Sequence, residues 1–166
     1  MRLFIAINFS KGVKNTLLGA ISELRSKSIS GSFTLTENLH LTLAFIGESS
    51  DVKAVRGVID SRETEPFCLT IGGAGHFGDL YWVGIENNPK LKAFAESLQS
   101  DLRAGGFEIE DRAYKPHITI ARKLVSDSPI SIIVPQTSMT VTRISLMKSE
   151  RVNGRLTYTE VYGRTL

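Results

Sequence analysis

The sequence predicts an α+β fold in which two pseudo-symmetric lobes of antiparallel-rich sheet, with outer helices, surround a central cleft. Three observations point to it. The order strand, helix, strand runs twice along the chain. The two halves keep nearly the same spacing, since Phe4 to His40 is 36 residues and Trp82 to His117 is 35. Each half also carries a tetrapeptide of the form His, apolar, Thr, apolar: His40-Leu41-Thr42-Leu43 and His117-Ile118-Thr119-Ile120. Repeated spacing of this kind is the mark of related units packed about an approximate two-fold axis. No linker or low-complexity segment parts the halves, so residues 1–166 are expected to form a single domain of two intertwined lobes.

Arg2–Asn8 reads as a buried strand. Ser10 offers an N-cap, after which Val13, Leu17, Ile21 and Leu24 recur as the apolar stripe of a helix. Phe33-Thr34-Leu35-Thr36 is short and alternating, and Leu39–Ile46 is a clear strand ending at Gly47. Ser49 or Ser50 would cap a second helix with Val52, Val55 and Ile59 facing inward. Pro66 marks a boundary before a strand at Phe67–Ile71, which should stop at the glycines at 72, 73 and 75. Leu80–Ile85 is the next strand. Asn88-Pro89 then caps a helix with proline at its first position, Leu91, Phe94, Ala95, Leu98 and Leu102 on its inner face, and Gly105-Gly106 as its stop. Residues 117–121 repeat the strand character of 40–44. The stretch 123–137, with Pro129 and Pro135, reads as a loop. Met139–Met147 and Arg155–Tyr162 close the chain as two strands joined near Asn153-Gly154.

Composition narrows the class. Hydrophobic residues make up 42% and charged residues 22%, as in an ordinary soluble globular domain. There is one cysteine, Cys68, so an internal disulfide is impossible; a small buried hydrophobe in a reducing, cytoplasmic compartment is expected. No apolar run is long enough to span a membrane, and a monomer without a membrane partner is expected. The net charge of +3 is compatible with a polyanionic partner and specific to none.

The chemistry gathers at the paired motifs. On a strand, His and Thr at i and i+2 project from one face while the aliphatic residues enter the core behind them. Two such tetrapeptides among three histidines arise by chance on the order of once in a thousand. Two imidazoles suit acid–base catalysis near neutral pH, because histidine titrates there. In-line cleavage of a phosphoester needs a base on the attacking oxygen and an acid on the leaving one. Histidines on opposite sides of a cleft meet that need, and hydroxyls can donate to the non-bridging oxygens. A metal site would want a third ligand, and no His-x-His, His-x₃-His or acidic cluster accompanies either motif.

These motifs and their flanks resemble the two-histidine phosphoesterases, and in particular the bacterial and archaeal RNA 2',3'-cyclic phosphodiesterases, long called 2'-5' RNA ligases. The resemblance is carried by Met1–Ile7, by Glu37-Asn38-Leu39-His40-Leu41-Thr42-Leu43 with Phe45-Ile46-Gly47, and by Pro116-His117-Ile118-Thr119-Ile120-Ala121-Arg122. It implies hydrolysis of 2',3'-cyclic phosphate ends of RNA to a 2'-phosphate, with no metal and no cofactor. By analogy His117 accepts the proton of the attacking water and His40 donates one to the departing 3' oxygen. Thr42 and Thr119 hold the phosphate, and Arg122 adds a cation. Phe33 stands where a tryptophan often precedes the first motif; with Tyr114 it is the expected contact to the terminal base.

Other residues are candidates of lesser weight. Arg112, Lys115, Arg122 and Lys123, with Lys148, Arg151 and Arg155, would make a basic rim for an RNA backbone if their loops converge. Tyr81, Trp82 and Tyr158 are further candidates to stack a base, although Trp82 on a strand is more often core. His76 reads as incidental in a glycine-rich turn, and Gly72-Gly73-Ala74-Gly75 lacks the Lys-Ser/Thr of a phosphate loop. Two rival functions use the same residues: reversible 2'-5' joining of RNA ends, and RNA-end binding without turnover.

Overall fold

The computed structural model describes residues 1–166. The elements follow one another as β1 (Arg2–Asn8), α1 (Lys11–Lys27), β2 (Ser30–Phe33), β3 (His40–Glu48), α2 (Val52–Asp60), β4 (Phe67–Phe77), β5 (Leu80–Ile85), α3 (Pro89–Ala104), β6 (His117–Val125), β7 (Thr137–Val141), β8 (Arg143–Val152) and β9 (Arg155–Thr165). Two antiparallel sheets result, a four-stranded one in the order β3-β1-β8-β9 and a five-stranded one in the order β2-β6-β5-β4-β7. The fold is α+β, as the repeated strand-helix-strand order predicts.

The helices begin where capping chemistry places them. Ser10 accepts from the Val13 N–H and Asn88 from the Leu91 N–H, each satisfying a donor with no partner inside its helix. α2 is capped by Asp51 in place of Ser49 or Ser50; Ser49 instead accepts from the Asp51 backbone. α1 and α3 bury their predicted stripes, and α2 buries Val55 and Ile59 with Val52 half-buried at its start. α1 packs on the five-stranded sheet although it follows a strand of the other one, and α3 crosses the opposite way to pack on β3. The lobes are thereby interleaved, and one core of 34 buried residues joins both sheets with all three helices. A smaller cluster of Phe4, Ala6 and Met147 lies on the other face of β1 and β8, toward the cleft. No helix is long and apolar enough to cross a membrane.

Four expectations are corrected. β4 runs on through Gly72, Gly73 and Gly75 to Phe77, with an irregular register between Ile71 and Ala74. The glycines are a place where backbone and Trp82 approach closely, and the turn comes later, at Gly78-Asp79. His76 therefore lies in a strand, its ring stacked 5.0 Å from that of Tyr81. The expected strand Met139–Met147 breaks at Thr142: its first part pairs with β4 in one sheet and its second with β1 in the other. Cys68 is exposed, because Phe67 and Leu69 on either side take the inward positions of the alternation. The predicted closing hairpin turns at Asn153-Gly154, where φ values of +53° and +76° suit a type I′ turn.

Candidate active site

The two histidines open β3 and β6, strands of different sheets that pack across from one another. Behind each His, the residues at i+1 and i+3 are fully buried, so the His-x-Thr faces are turned to the cleft. The local geometry repeats closely. His40 Nδ1 lies 2.7 Å from the Asn38 carbonyl, and His117 Nδ1 lies 2.9 Å from the Lys115 carbonyl, two residues earlier in both cases. A carbonyl only accepts, so each Nδ1 carries the hydrogen and each Nε2 is left to do chemistry. His40 Nε2 is 2.9 Å from the Thr42 hydroxyl.

A bulge follows each motif at the equivalent place. Thr42 pairs with Ala6 and Ala44 with Ile5, leaving Leu43 unopposed; Thr119 pairs with Trp82 and Ala121 with Tyr81, leaving Ile120 unopposed. The register thus matches Trp82 with Ala6, where the bare sequence spacing matched it with Phe4. An extra residue reverses the alternation. It brings the fifth residue after each His back to the cleft face: Phe45 in one lobe and Arg122 in the other. Phe45 is 67% exposed in spite of its size. Carbonyls at the bulges need other partners, and the two lobes supply different ones. The Thr42 carbonyl accepts from the Tyr114 hydroxyl at 2.7 Å and the Leu43 carbonyl from Gln99 Nε2 of α3 at 2.7 Å. The Thr119 and Ile120 carbonyls accept from the Thr34 hydroxyl and the Thr34 N–H, both at 3.0 Å.

Aromatic rings surround His40. Phe4 lies 4.9 Å from it, and Tyr158 stands edge-on at 5.1 Å. Burial under these rings holds the His40 imidazole below its usual pKa; the hydrogen bond to Asn38 works against the shift, and the Arg122 cation adds to it. Burial raises the Tyr158 phenol, opposed by Arg122 and Arg2. Arg122 is therefore within electrostatic range of both His40 and Tyr158.

Thr42 and Arg122 lie within reach of His40, while His117 and Thr119 sit on β6, the strand that packs against β3. The other two predicted contacts are placed differently. Phe33 pairs with Ala121 and turns its ring to the helix side, where the guanidinium of Arg25 from α1 lies 4.6 Å above it. Tyr114 is tucked inward with its hydroxyl spent on Thr42, and burial pushes its phenol well up. Of the expected basic rim, Arg112 pairs with Glu110, Lys148 with Glu150, and Arg151 donates to Gly154 within its own turn. Sequence reasoning missed Asn38, which is buried, holds His40 through its carbonyl and reaches β9 through its amide to the Leu156 carbonyl. It also missed Gln99, Thr34 and Phe45. Only the bulges give these their roles, and no sequence period announces a bulge.

Comparison with known proteins agrees with this architecture. The model of the 2'-5' RNA ligase superfamily matches residues 14–153. The chain is 33% identical to the RNA 2',3'-cyclic phosphodiesterase of Thermotoga maritima, covering 74% of this chain and 70% of that protein. It is 30% identical to the protein of the same name from Methanothermobacter thermautotrophicus, over 97% of this chain and 96% of that one. Among solved structures, Escherichia coli LigT complexed with 3'-AMP superposes with a TM-score of 0.85 at 30% identity, covering 99% of this chain and 97% of that one. The sequence match, the shared fold and the twice-repeated His-x-Thr strand lead to one conclusion: this chain belongs to the 2'-5' RNA ligase superfamily.

Proposed function

We propose that the chain hydrolyses the 2',3'-cyclic phosphate at RNA ends to a 2'-phosphate, by metal-independent acid–base catalysis between His117 and His40. The whole of residues 1–166 acts as one catalytic unit. The observation that carries this reading is the matched anchoring of the two imidazoles, each held through Nδ1 by a carbonyl with Nε2 directed away from it. The names of the relatives supply the substrate class.

His117 Nε2 takes a proton from water as the oxygen attacks phosphorus. His40 Nε2, protonated in the competent form, gives its proton to the departing 3' oxygen. While His40 is neutral, the Thr42 hydroxyl donates to its Nε2. Once Nε2 is protonated it no longer accepts, and the Thr42 hydrogen is released toward a non-bridging phosphate oxygen. Thr119 and the Arg122 guanidinium serve the same oxygens, where charge gathers in the transition state.

The test is a short RNA with a 2',3'-cyclic phosphate, incubated in excess EDTA with wild type, His40→Ala or His117→Ala. The wild type should yield a 2'-phosphate, and each variant should lose roughly 10²–10⁴ in rate. RNA binding without turnover by the wild type would leave a binding module and refute the mechanism.

A further inference from the structure

The cleft face of the five-stranded sheet is flat beside His117. Trp82 of β5 lies across Gly75, where a Cβ would collide with the indole. Gly84, the cross-strand partner of His117, adds no side chain of its own. Phe77 occupies the same face at the tip of the β4–β5 hairpin. Its ring packs 5.5 Å from Trp82 and stands edge-on to His117 at 5.6 Å. The rest of that ring is in water: Phe77 is 56% exposed, and Leu80 closes the two-residue turn beneath it. Gly78, at φ +60°, makes the turn tight, so the ring is carried on a short, fixed support.

We propose that Phe77, backed by Trp82, is a stacking subsite for the nucleobase of a second nucleoside, whose 5'-hydroxyl takes the place of water at His117. This rests on the reading above, in which the nucleophile approaches from the His117 side. The aromatic rings of the other lobe, Phe4 and Tyr158, pack against His40 and leave this platform to a different base. With a 5'-hydroxyl as nucleophile the same two proton transfers apply. His117 takes the hydroxyl proton, the P–O5' bond forms, the P–O3' bond breaks, and His40 protonates O3'. The product is a 2',5'-phosphodiester with a free 3'-hydroxyl, and no co-reactant is consumed. Water needs no base-binding surface, whereas a nucleoside gains from an exposed ring, since stacking on an aromatic side chain is tolerant of base identity. Phe77 thus sets the ratio of strand transfer to hydrolysis.

The experiment compares wild type, Phe77→Ala, Phe77→Leu and Phe77→Tyr on two substrates. One is a 2',3'-cyclic mononucleotide, attacked by water. The other is a 2',5'-linked dinucleoside monophosphate, whose cleavage to cyclic phosphate and nucleoside is strand transfer in reverse and needs the same subsite. The ratio of kcat/KM for the dinucleotide to that for the cyclic substrate should fall roughly tenfold or more in Phe77→Ala and Phe77→Leu, and recover in Phe77→Tyr. Thermal melting identifies any variant that fails to fold. Equal losses on both substrates would mean that Phe77 only props His117, and an unchanged ratio would deny it any stacking role; both overturn the subsite. A wild type that hydrolyses the cyclic substrate but never cleaves the dinucleotide overturns the subsite alone. One that is inactive on both overturns the acid–base reading beneath it.

Discussion

At His40 the chemistry turns on a proton that the surroundings make hard to keep. Desolvation under Phe4 and Tyr158 and the nearby Arg122 cation depress its pKa from 6.5, so the free protein at neutral pH holds the ring mostly neutral. A bound phosphate brings negative charge beside it and shifts the balance back. In an NMR titration the His40 ring should therefore titrate below 6.5 in the free protein and higher with inorganic phosphate bound; a free-state value at or above 6.5 would contradict the burial argument. The same shift bears on stability. A folded-state pKa below the unfolded value means that the unfolded chain binds more protons in that window. The contribution from His40 is full above about 6.5 and is lost as pH falls through the depressed value. His40→Gln should flatten the acid limb of a stability–pH curve.

At the scale of elements, glycines and bulges set what the strands present. Gly75 makes room for the Trp82 ring, and Gly163 does the same for the pair of Arg143 with Glu160. A methyl at position 75 would overlap the indole. Gly75→Ala should destabilise by about 1–3 kcal/mol, the usual cost of overpacking, and should shift Trp82 fluorescence. Wild-type stability with an unmoved emission maximum would show that the ring is free to give way. The bulges after Thr42 and Thr119 explain why Phe45 and Arg122 face the cleft at a spacing that strict alternation forbids.

Across the whole molecule the two lobes are tied through the backbone of the first motif. Tyr114, three residues before His117, bonds the Thr42 carbonyl, and Gln99 of α3 bonds the next one. Tyr114→Phe leaves a half-buried carbonyl without its donor, which costs about 1–3 kcal/mol. Because Tyr114 positions Thr42 and touches no substrate in this reading, kcat should fall while KM for the cyclic phosphate changes little. A rise in KM alone would return Tyr114 to the role of base contact.

The sequence by itself determined the helices, most of the strands and the two His-x-Thr faces. These follow from periods of 3.6 and 2 and from caps such as Ser10 and Asn88, which act within a few residues. It also brought the paired motifs to notice, since matching tetrapeptides need no folding to be seen. Tertiary structure alone decided the break at Thr142, the outward Cys68, the inward hydroxyl of Tyr114 and the placing of a half-buried Phe33 against Arg25. It also placed Phe45, Arg122 and Phe77 around the cleft. Each of these depends on which strand lies alongside and in what register. That pairing is made between residues far apart in the chain, and no local period encodes it.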